Sequence, residues 1–350
     1  MASSQLKIVP SIYCRIVSKF PQNITFCFAY GSAVKKQLQN NQKENMIDLI
    51  FAVKDPVAWH EANLHLNSSH YSGLKYFGHN FITRYQKNIG AKVYFNTLVR
   101  IDDYLVKYGV VATEDLVTDL LEWSDIYLAG RLHKPVEFVK KPLDTELETG
   151  LQLNLRSAMH AALLLLPEYF TEYEFYHTVS NLSYSGDFRM TFGENKKKVE
   201  NIVKQQMLGF RDLYKPLILN LPDYVEFPML KNDSDVLRNV VGYVHGDDTV
   251  YCSQDKSPIA KLHHLNQLPR WPQKALTRIW NKGNFRQDTE DVLRALAYDP
   301  ECSEIVNHCI KTIVWNSSVS QSVKGILTAG LLKSLRYSTR KVKKMIYADK

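Results

Sequence analysis

No stretch of this chain is long and apolar enough to cross a bilayer. The longest run, Ala161 to Leu166, falls far short of the ~20 residues a spanning helix needs, so any lipid it handles must be met from the membrane surface. Cysteine is scarce. Cys14, Cys27, Cys252, Cys302 and Cys309 are odd in number and include no CxxC pair, which argues against a disulfide framework and a cysteine zinc site and for a reducing compartment. Internal repeats and low-complexity linkers are also lacking. Charged residues make up 23% and apolar residues 45%, an ordinary globular balance, and 350 residues allow two domains.

What charge there is lies unevenly. Residues 324–350 hold eight Lys or Arg against Asp349, which is +7 of the formal +8 and leaves the first 323 residues at +1. The body therefore carries no basic groove for nucleic acid. The beginning lacks acid altogether: Lys7, Arg15, Lys19, Lys35, Lys36 and Lys43 precede the first acidic residue, Glu44. Leu6, Val9, Ile12 and Ile16 fit one helical face, as either a mitochondrial presequence or a first helix.

Two apolar strands read at 24–34 and 46–53, a third at 90–99, and a helix opens after Asp55-Pro56. Helices follow from Thr113 to Leu121, from Thr145 to Pro167 and after Thr171. Ser183 to Phe192 reads as a strand and turn, Gly193 to Tyr214 as a helix and Pro222 to Leu230 as extended, with helical signal near 286–297 and 303–314. The expected architecture is α/β: a nucleotidyltransferase-fold domain over 1–140, a helical or winged-helix-like domain over 141–230, and a region 231–318 packing on the body. A basic amphipathic helix over 319–350 completes it.

The first strand runs into Tyr30-Gly31-Ser32, and the second carries one aspartate, Asp48, in Met46-Ile47-Asp48-Leu49-Ile50-Phe51. A Gly-Ser turn opening a helix offers free N–H groups to a triphosphate, and a strand aspartate beside it holds Mg²⁺. An ordinary turn and strand end would look the same. The usual second acid, two residues on, is replaced by Ile50, so the metal site is either simpler or completed from elsewhere, with Asp55, Asp125 and Asp187 as candidates; Asn96 stands where the wider superfamily often has another acid. Asp48 and Asp187 are the candidate catalytic pair, and a turn is the alternative for Asp187. Arg131, Lys134, Arg189, Asn195 and Lys197 (within Lys196-Lys197-Lys198) are candidate phosphate ligands, since Arg binds bidentately and Lys acts as a point charge.

His60, Asn63, Asn67 and His70 make one polar stripe, of which His60 and Asn63 are assigned to a nucleotide cleft. No cysteine or acid joins this stripe at zinc-ligand spacing. Arg156, on an apolar helix, is an ion-pair partner or a ligand contact, and His245-Gly246-Asp247-Asp248 reads as a turn. The stripe Val323, Leu327, Leu331, Leu335, Val342 and Ile346 keeps helical spacing. Lys324, Lys333, Arg336, Arg340, Lys341, Lys343 and Lys344 surround it, the pattern of a helix lying on an anionic membrane; a C-terminal helix packed on the body is the alternative.

These motifs recur in order with Trp59-His60 through His70-Tyr71-Ser72, Ala129-Gly130-Arg131-Leu132-His133-Lys134-Pro135-Val136, Asn154-Leu155-Arg156-Ser157, Ser183-Tyr184-Ser185-Gly186-Asp187-Phe188-Arg189-Met190 and Gly193-Glu194-Asn195. Over about residues 20–350 the chain resembles the mitochondrial phosphatidate cytidylyltransferase family, first described as a translocator assembly and maintenance family. The resemblance implies CTP and phosphatidic acid as substrates, CDP-diacylglycerol and pyrophosphate as products, Mg²⁺ as cofactor, and a peripheral place on the matrix side of the inner membrane, facing anionic lipids. It also implies a role in phosphatidylglycerol and cardiolipin synthesis. Two other readings stand beside it: a nucleotidyltransferase with another acceptor, and a non-catalytic factor maintaining translocation machinery.

Overall fold

The computed structural model describes residues 11–31, 46–192, 197–231, 251–283 and 286–330. They form two compact units. The first comprises those within Met1–Val117, Val136–Glu148 and Ser320–Lys343; the second comprises those within Thr118–Pro135, Thr149–Val319 and Lys344–Lys350.

The first unit is built on a five-stranded mixed sheet of β1 (Phe26–Tyr30), β2 (Ile47–Val53), β3 (Val93–Ile101), β4 (Tyr104–Ala112) and β5 (Glu137–Lys140), ordered β3-β4-β2-β1-β5. The β4 strand is additional to the three strands read from the sequence. It returns from β3 through a tight turn in which Asp102 adopts a positive φ of 48°, then pairs parallel to β2. Strand alternation divides the side chains between two faces. Cys27, Ala29, Leu49, Phe51, Tyr108 and Val110 join a core with Tyr13, Ile16, Phe20 and Trp59. Tyr13 and Ile16 belong to the helix Ser11–Val17, so this part of the N-terminal amphipathic stretch is folded structure; Leu6 and Val9 lie outside the described residues.

The helix Pro56–Asn67 starts as its sequence demands. Asp55 accepts the N–H groups of Val57 and Ala58, and Pro56 occupies the first turn, where no N–H is missed. Asp55, a candidate second acid in the sequence, is thereby a helix cap through its Oδ1. Helical residues 320–329 also belong to this unit. Gln321 Oε1 accepts the Ala91 N–H at 3.0 Å, and Lys324 Nζ donates to the carbonyls of Gln86 and Ile89 at 2.7 and 2.6 Å. Lys324 is fully buried, which corrects its expected place among surface cations: its ammonium satisfies carbonyls at the end of the helix Gly78–Asn88.

The second unit is mainly helical. The helix Thr145–Leu165, of which residues from Thr149 belong here, buries Ala158, Met159, Ala161 and Ala162. The helix Glu172–Asn181 begins with a reciprocal capping box between Thr171 and Glu174. The three-stranded sheet of β6 (Tyr169–Thr171), β7 (Val225–Glu226) and β8 (Tyr251–Gln254) runs in the order β6-β8-β7. The strand expected within 183–192 does not form. A turn over 182–186 leads instead into the short helix Phe188–Phe192, because Gly186 takes φ +95° and the Asp187 carboxylate caps the Arg189 N–H at 2.9 Å. No β-wing therefore follows the helices at that point. The helices Lys198–Ile218, Pro258–Asn266, Arg270–Trp280, Thr289–Tyr298 and residues 302–319 of Cys302–Ala329 complete the unit.

Candidate active site

In the first unit, the β1–β2 register sets Tyr30 opposite Asp48, and the β2–β4 register sets Asp48 opposite Lys107. Gly31, with φ +88°, ends β1 so closely against Asp48 that a Cβ there would stand 3.4 Å from Oδ2. The carboxylate is half-buried, and Lys107 Nζ stands 3.8 Å from Oδ1 and 4.5 Å from the Phe95 ring centre. The Gly-Asp pair read from the sequence is thus brought together, whereas Ser32 lies outside the described residues.

Ile50 shares the Asp48 face and is fully buried. It packs where Gly109 has no side chain: a Cβ on Gly109 would fall 2.8 Å from Ile50 Cδ1 and 2.6 Å from Phe95 Cε1. A second carboxylate at position 50 would be buried in apolar surroundings. The strand neighbours of Asp48 supply a tyrosine and a lysine instead. Lys107 was missed in the sequence because only the parallel β2–β4 pairing reveals it.

His60 and Asn63 do not line a nucleotide cleft. Both are fully buried, and they bond to groups on the other face of the sheet. His60 Nδ1 and Asn63 Nδ2 each lie 2.9 Å from the Tyr71 hydroxyl, and His60 Nε2 lies 2.8 Å from Gln86 Oε1. Asn63, Asn96 and His70 all meet the Tyr108 hydroxyl within 3.1 Å. Tyr108 is the neighbour of Lys107 and points the opposite way, so this network and Asn96 lie behind the sheet from Asp48. Burial lowers the His60 imidazole to about 4, so the ring is neutral at pH 7 and acts as a polar strut.

The second unit collects the basic candidates. Gly130 lies in the helical turn Ala129–Leu132, where a Cβ would collide with Ser183 at 2.3 Å; only glycine lets the two segments meet. Lys134 is buried, bonded by Nζ to the Gly130 carbonyl and to Ser183 Oγ. Two tyrosines, Tyr127 and Tyr184, to which the sequence assigned no role, serve as platforms. Arg131 and Arg189 lie 4.1 and 5.9 Å from the Tyr127 ring centre, and Lys134 and Lys198 lie 5.1 and 5.2 Å from that of Tyr184.

Asp187 is the acid of this group, held by Arg189 through Nε at 3.0 Å and Nη2 at 2.6 Å. Burial works to raise the Asp187 carboxyl, but the Arg189 guanidinium outweighs it and keeps it below the usual carboxylate range. Burial first, then Arg131 and Lys198, push Lys134 well below the ordinary lysine range. An arriving phosphate would relieve that repulsion. Lys197 is exposed at the N-cap of Lys198–Ile218; Asn195 and Lys196 lie outside the described residues.

The loop that carries these groups is fixed by Asp119, which the sequence reading did not single out. Its two oxygens accept the N–H groups of Asp125, Ile126, Leu128 and Ala129 at 2.9–3.1 Å. Asp125, a candidate second metal ligand, takes part in that turn through its N–H and its contact with Ser124. Arg156 is exposed. The His245–Asp248 turn and the membrane-stripe residues Leu331, Leu335, Arg336, Arg340, Lys341, Lys343 and Lys344 lie outside the described residues.

The family model described as mitochondrial phosphatidate cytidylyltransferase matches residues 13–344. The chain is 44% identical over 336 residues to a Danio rerio protein of that name, covering 95% of this chain and 94% of the relative. It is 44% identical over 347 residues to one from Drosophila melanogaster, covering 95% and 98%. A Schizosaccharomyces pombe protein of the same name is 39% identical over 338 residues, covering 94% and 82%. With a match that runs almost end to end, through Gly31, Asp48 and the basic group after Gly130, the chain belongs to the mitochondrial phosphatidate cytidylyltransferase family.

Proposed function

We propose that this chain is a phosphatidate cytidylyltransferase: it joins CTP to phosphatidate, forms CDP-diacylglycerol and releases pyrophosphate. The end-to-end family match carries this conclusion, and cytidine selectivity rests on it alone. A phosphate oxygen of phosphatidate attacks the α-phosphorus of CTP in line. The new P–O bond forms as the bond to the bridging β-phosphate oxygen breaks, and pyrophosphate leaves with that electron pair. No covalent enzyme intermediate is required, so the protein works by positioning and charge stabilisation.

Asp48 is the metal ligand in this reading. One carboxylate with substrate phosphates is a common Mg²⁺ donor set, and Gly31 leaves room beside Oδ2 that a Cβ would fill. The bound ion would neutralise phosphate charge. Lys107 adds a positive charge at the same strand position. Arg131, Lys134, Arg189 and Lys197 take a substrate phosphate in the second unit, with Asp187 orienting Arg189.

The test is pyrophosphate release with CTP, Mg²⁺ and phosphatidic acid in mixed micelles, omitting one component at a time. Release that needs all three, with cytidine in the lipid product, supports the assignment; CTP binding without release means the acceptor is wrong. In the same assay, Lys134→Met raises the KM of whichever substrate the basic group holds, and unchanged KM values for both would remove that group from the site.

We place the protein on the matrix side of the mitochondrial inner membrane, as a peripheral enzyme supplying phosphatidylglycerol and cardiolipin synthesis. Among the described residues no helix is long and apolar enough to cross a membrane. The first unit does expose aromatic surface. Tyr76 is 84% and Phe77 67% exposed; the Phe77 ring lies 5.0 Å from that of the exposed Phe81, tilted by 37°, with Lys75 5.5 Å from the Tyr76 ring. Ser72, at the start of this segment, donates to the Leu327 carbonyl at 3.0 Å, and Val323, Ile326 and Leu327 are themselves exposed. Exposed aromatics beside cations suit a lipid headgroup layer, and the basic sequence after Gly330 adds attraction to anionic lipids. Tyr76→Ser with Phe77→Ser is expected to lower co-sedimentation with phosphatidylcholine–phosphatidic acid vesicles several-fold. Undiminished sedimentation would detach this patch from the membrane. Truncation should begin after Gly330, because Gln321 and Lys324 are packed parts of the first unit.

A further inference from the structure

We infer that His160, His263 and His264 form a binding site for one transition-metal ion of the zinc class, separate from the Mg²⁺ ligand Asp48. One ring nitrogen from each histidine lies within 4.8 Å of the others, and the three ring centres stand 5.1–5.4 Å apart. All three belong to the second unit. His160 comes from the helix Thr145–Leu165, and His263 and His264 from Pro258–Asn266, so two helices fix the triangle.

Two further observations separate this cluster from an ordinary hydrogen-bonded core group. Each of the three histidines has a buried Nε2 with no hydrogen-bond partner, whereas buried polar atoms are almost always satisfied. In addition, the His160 and His264 Nδ1 atoms approach to 2.8 Å, nitrogen to nitrogen, with no carboxylate or carbonyl between them. Such a pair needs one proton to hold together. A metal ion supplies the same link without one: nitrogens bound tetrahedrally to zinc stand ~3.3 Å apart, so a small opening of the pair admits the ion.

The surroundings suit ligation. The Tyr224 ring stacks on His263 at 4.3 Å and 11°, which fixes the orientation of the more exposed ligand. Three imidazoles fill three positions and leave the fourth for water or another small ligand. The chain contains no cysteine beside these residues in sequence, which is why a search for cysteine-based zinc spacing passes over them.

The test uses the full chain with any affinity tag removed, stripped by chelator and titrated with Zn²⁺ and Co²⁺ in the absence of CTP. One equivalent bound, an intense tetrahedral Co²⁺ absorption band, and a Zn²⁺-dependent rise in melting temperature are expected. His263→Ala, the least buried of the three, should weaken Zn²⁺ binding at least tenfold, and Asp48→Asn should leave it unchanged. Binding lost in Asp48→Asn but retained in His263→Ala would place the ion elsewhere and overturn the proposal. Absence of stoichiometric Zn²⁺ binding in the unaltered chain would do the same, and it requires no variant to fold. The outcome is independent of transferase activity.

Discussion

Asp48→Asn is expected to lower CTP- and phosphatidate-dependent pyrophosphate release by about 10³-fold or more, while the protein stays folded. The size follows from the role proposed for it: a carboxylate that holds a metal against developing phosphate charge contributes in the transition state, where one preorganised electrostatic contact is worth about 10²–10³ and a metal ligand at least as much. The lack of a stability effect follows from the structure. Asn is isosteric, the side chain is partly open to solvent, and its ion pair with Lys107 at 3.8 Å is of the kind worth under ~1 kcal/mol. The measurement is the initial rate at saturating substrates beside a thermal melt. A folded variant with near-normal rate would remove Asp48 from the chemistry. Lys107→Met separates the two partners: it leaves the carboxylate in place, so loss of activity there reports the lysine's own contribution to phosphate charge.

The meeting of Gly31 and Asp48 was legible because everything that marks it is local. An apolar run, a glycine that must turn and a lone acid on the next apolar run all lie within about twenty residues of chain. The Asp48 neighbour Lys107 was not legible. A lysine in Tyr104–Ala112 looks like an ordinary solvent-facing strand residue until β4 pairs parallel to β2, and that register is a long-range fact. The His60–Asn63 stripe shows the opposite failure. Helical spacing correctly put the polar groups on one face, but periodicity says nothing about which side of the sheet that face covers, and here it covers the side away from Asp48. At 183–192 the error was one of local chemistry. The expected turn forms, but the strand with it does not, because the aspartate caps a helical turn and pairs with Arg189. The membrane reading of Lys324 failed for a tertiary reason, because a lysine at that helix position satisfies buried carbonyls of another helix.

Asp119→Ala is expected to be the most destabilising single change in the second unit. In Thr113–Glu122 the residue reads as one more acid on an amphipathic helix, yet it is 5% exposed and its carboxylate accepts four backbone N–H groups. Those donors belong to a turn with a steric cost of its own: Trp123 and Ile126 both adopt positive φ, 57° and 53°, and for a β-branched residue that conformation is unfavourable. The carboxylate offsets this strain. Burial raises the Asp119 carboxyl, and the four backbone donors pull the other way. Alanine removes both oxygens and leaves four buried N–H groups without acceptors. At roughly 1–3 kcal/mol each, with partial relaxation, the loss is on the order of 4–6 kcal/mol, a large share of the ~5–15 kcal/mol that holds a folded protein together. Asp119→Asn keeps one carbonyl oxygen with two acceptor sites, so its loss should be about half as great. Urea midpoints of the two variants against the parent chain measure both quantities, and an alanine variant within about 1 kcal/mol of the parent would show that the turn holds itself. The consequence reaches function through the chain, because Gly130, Arg131 and Lys134 follow directly on the four anchored N–H groups. The folded fraction of Asp119→Asn should therefore bind the substrate phosphate more weakly than the parent, whereas Asp48→Asn leaves the basic group intact.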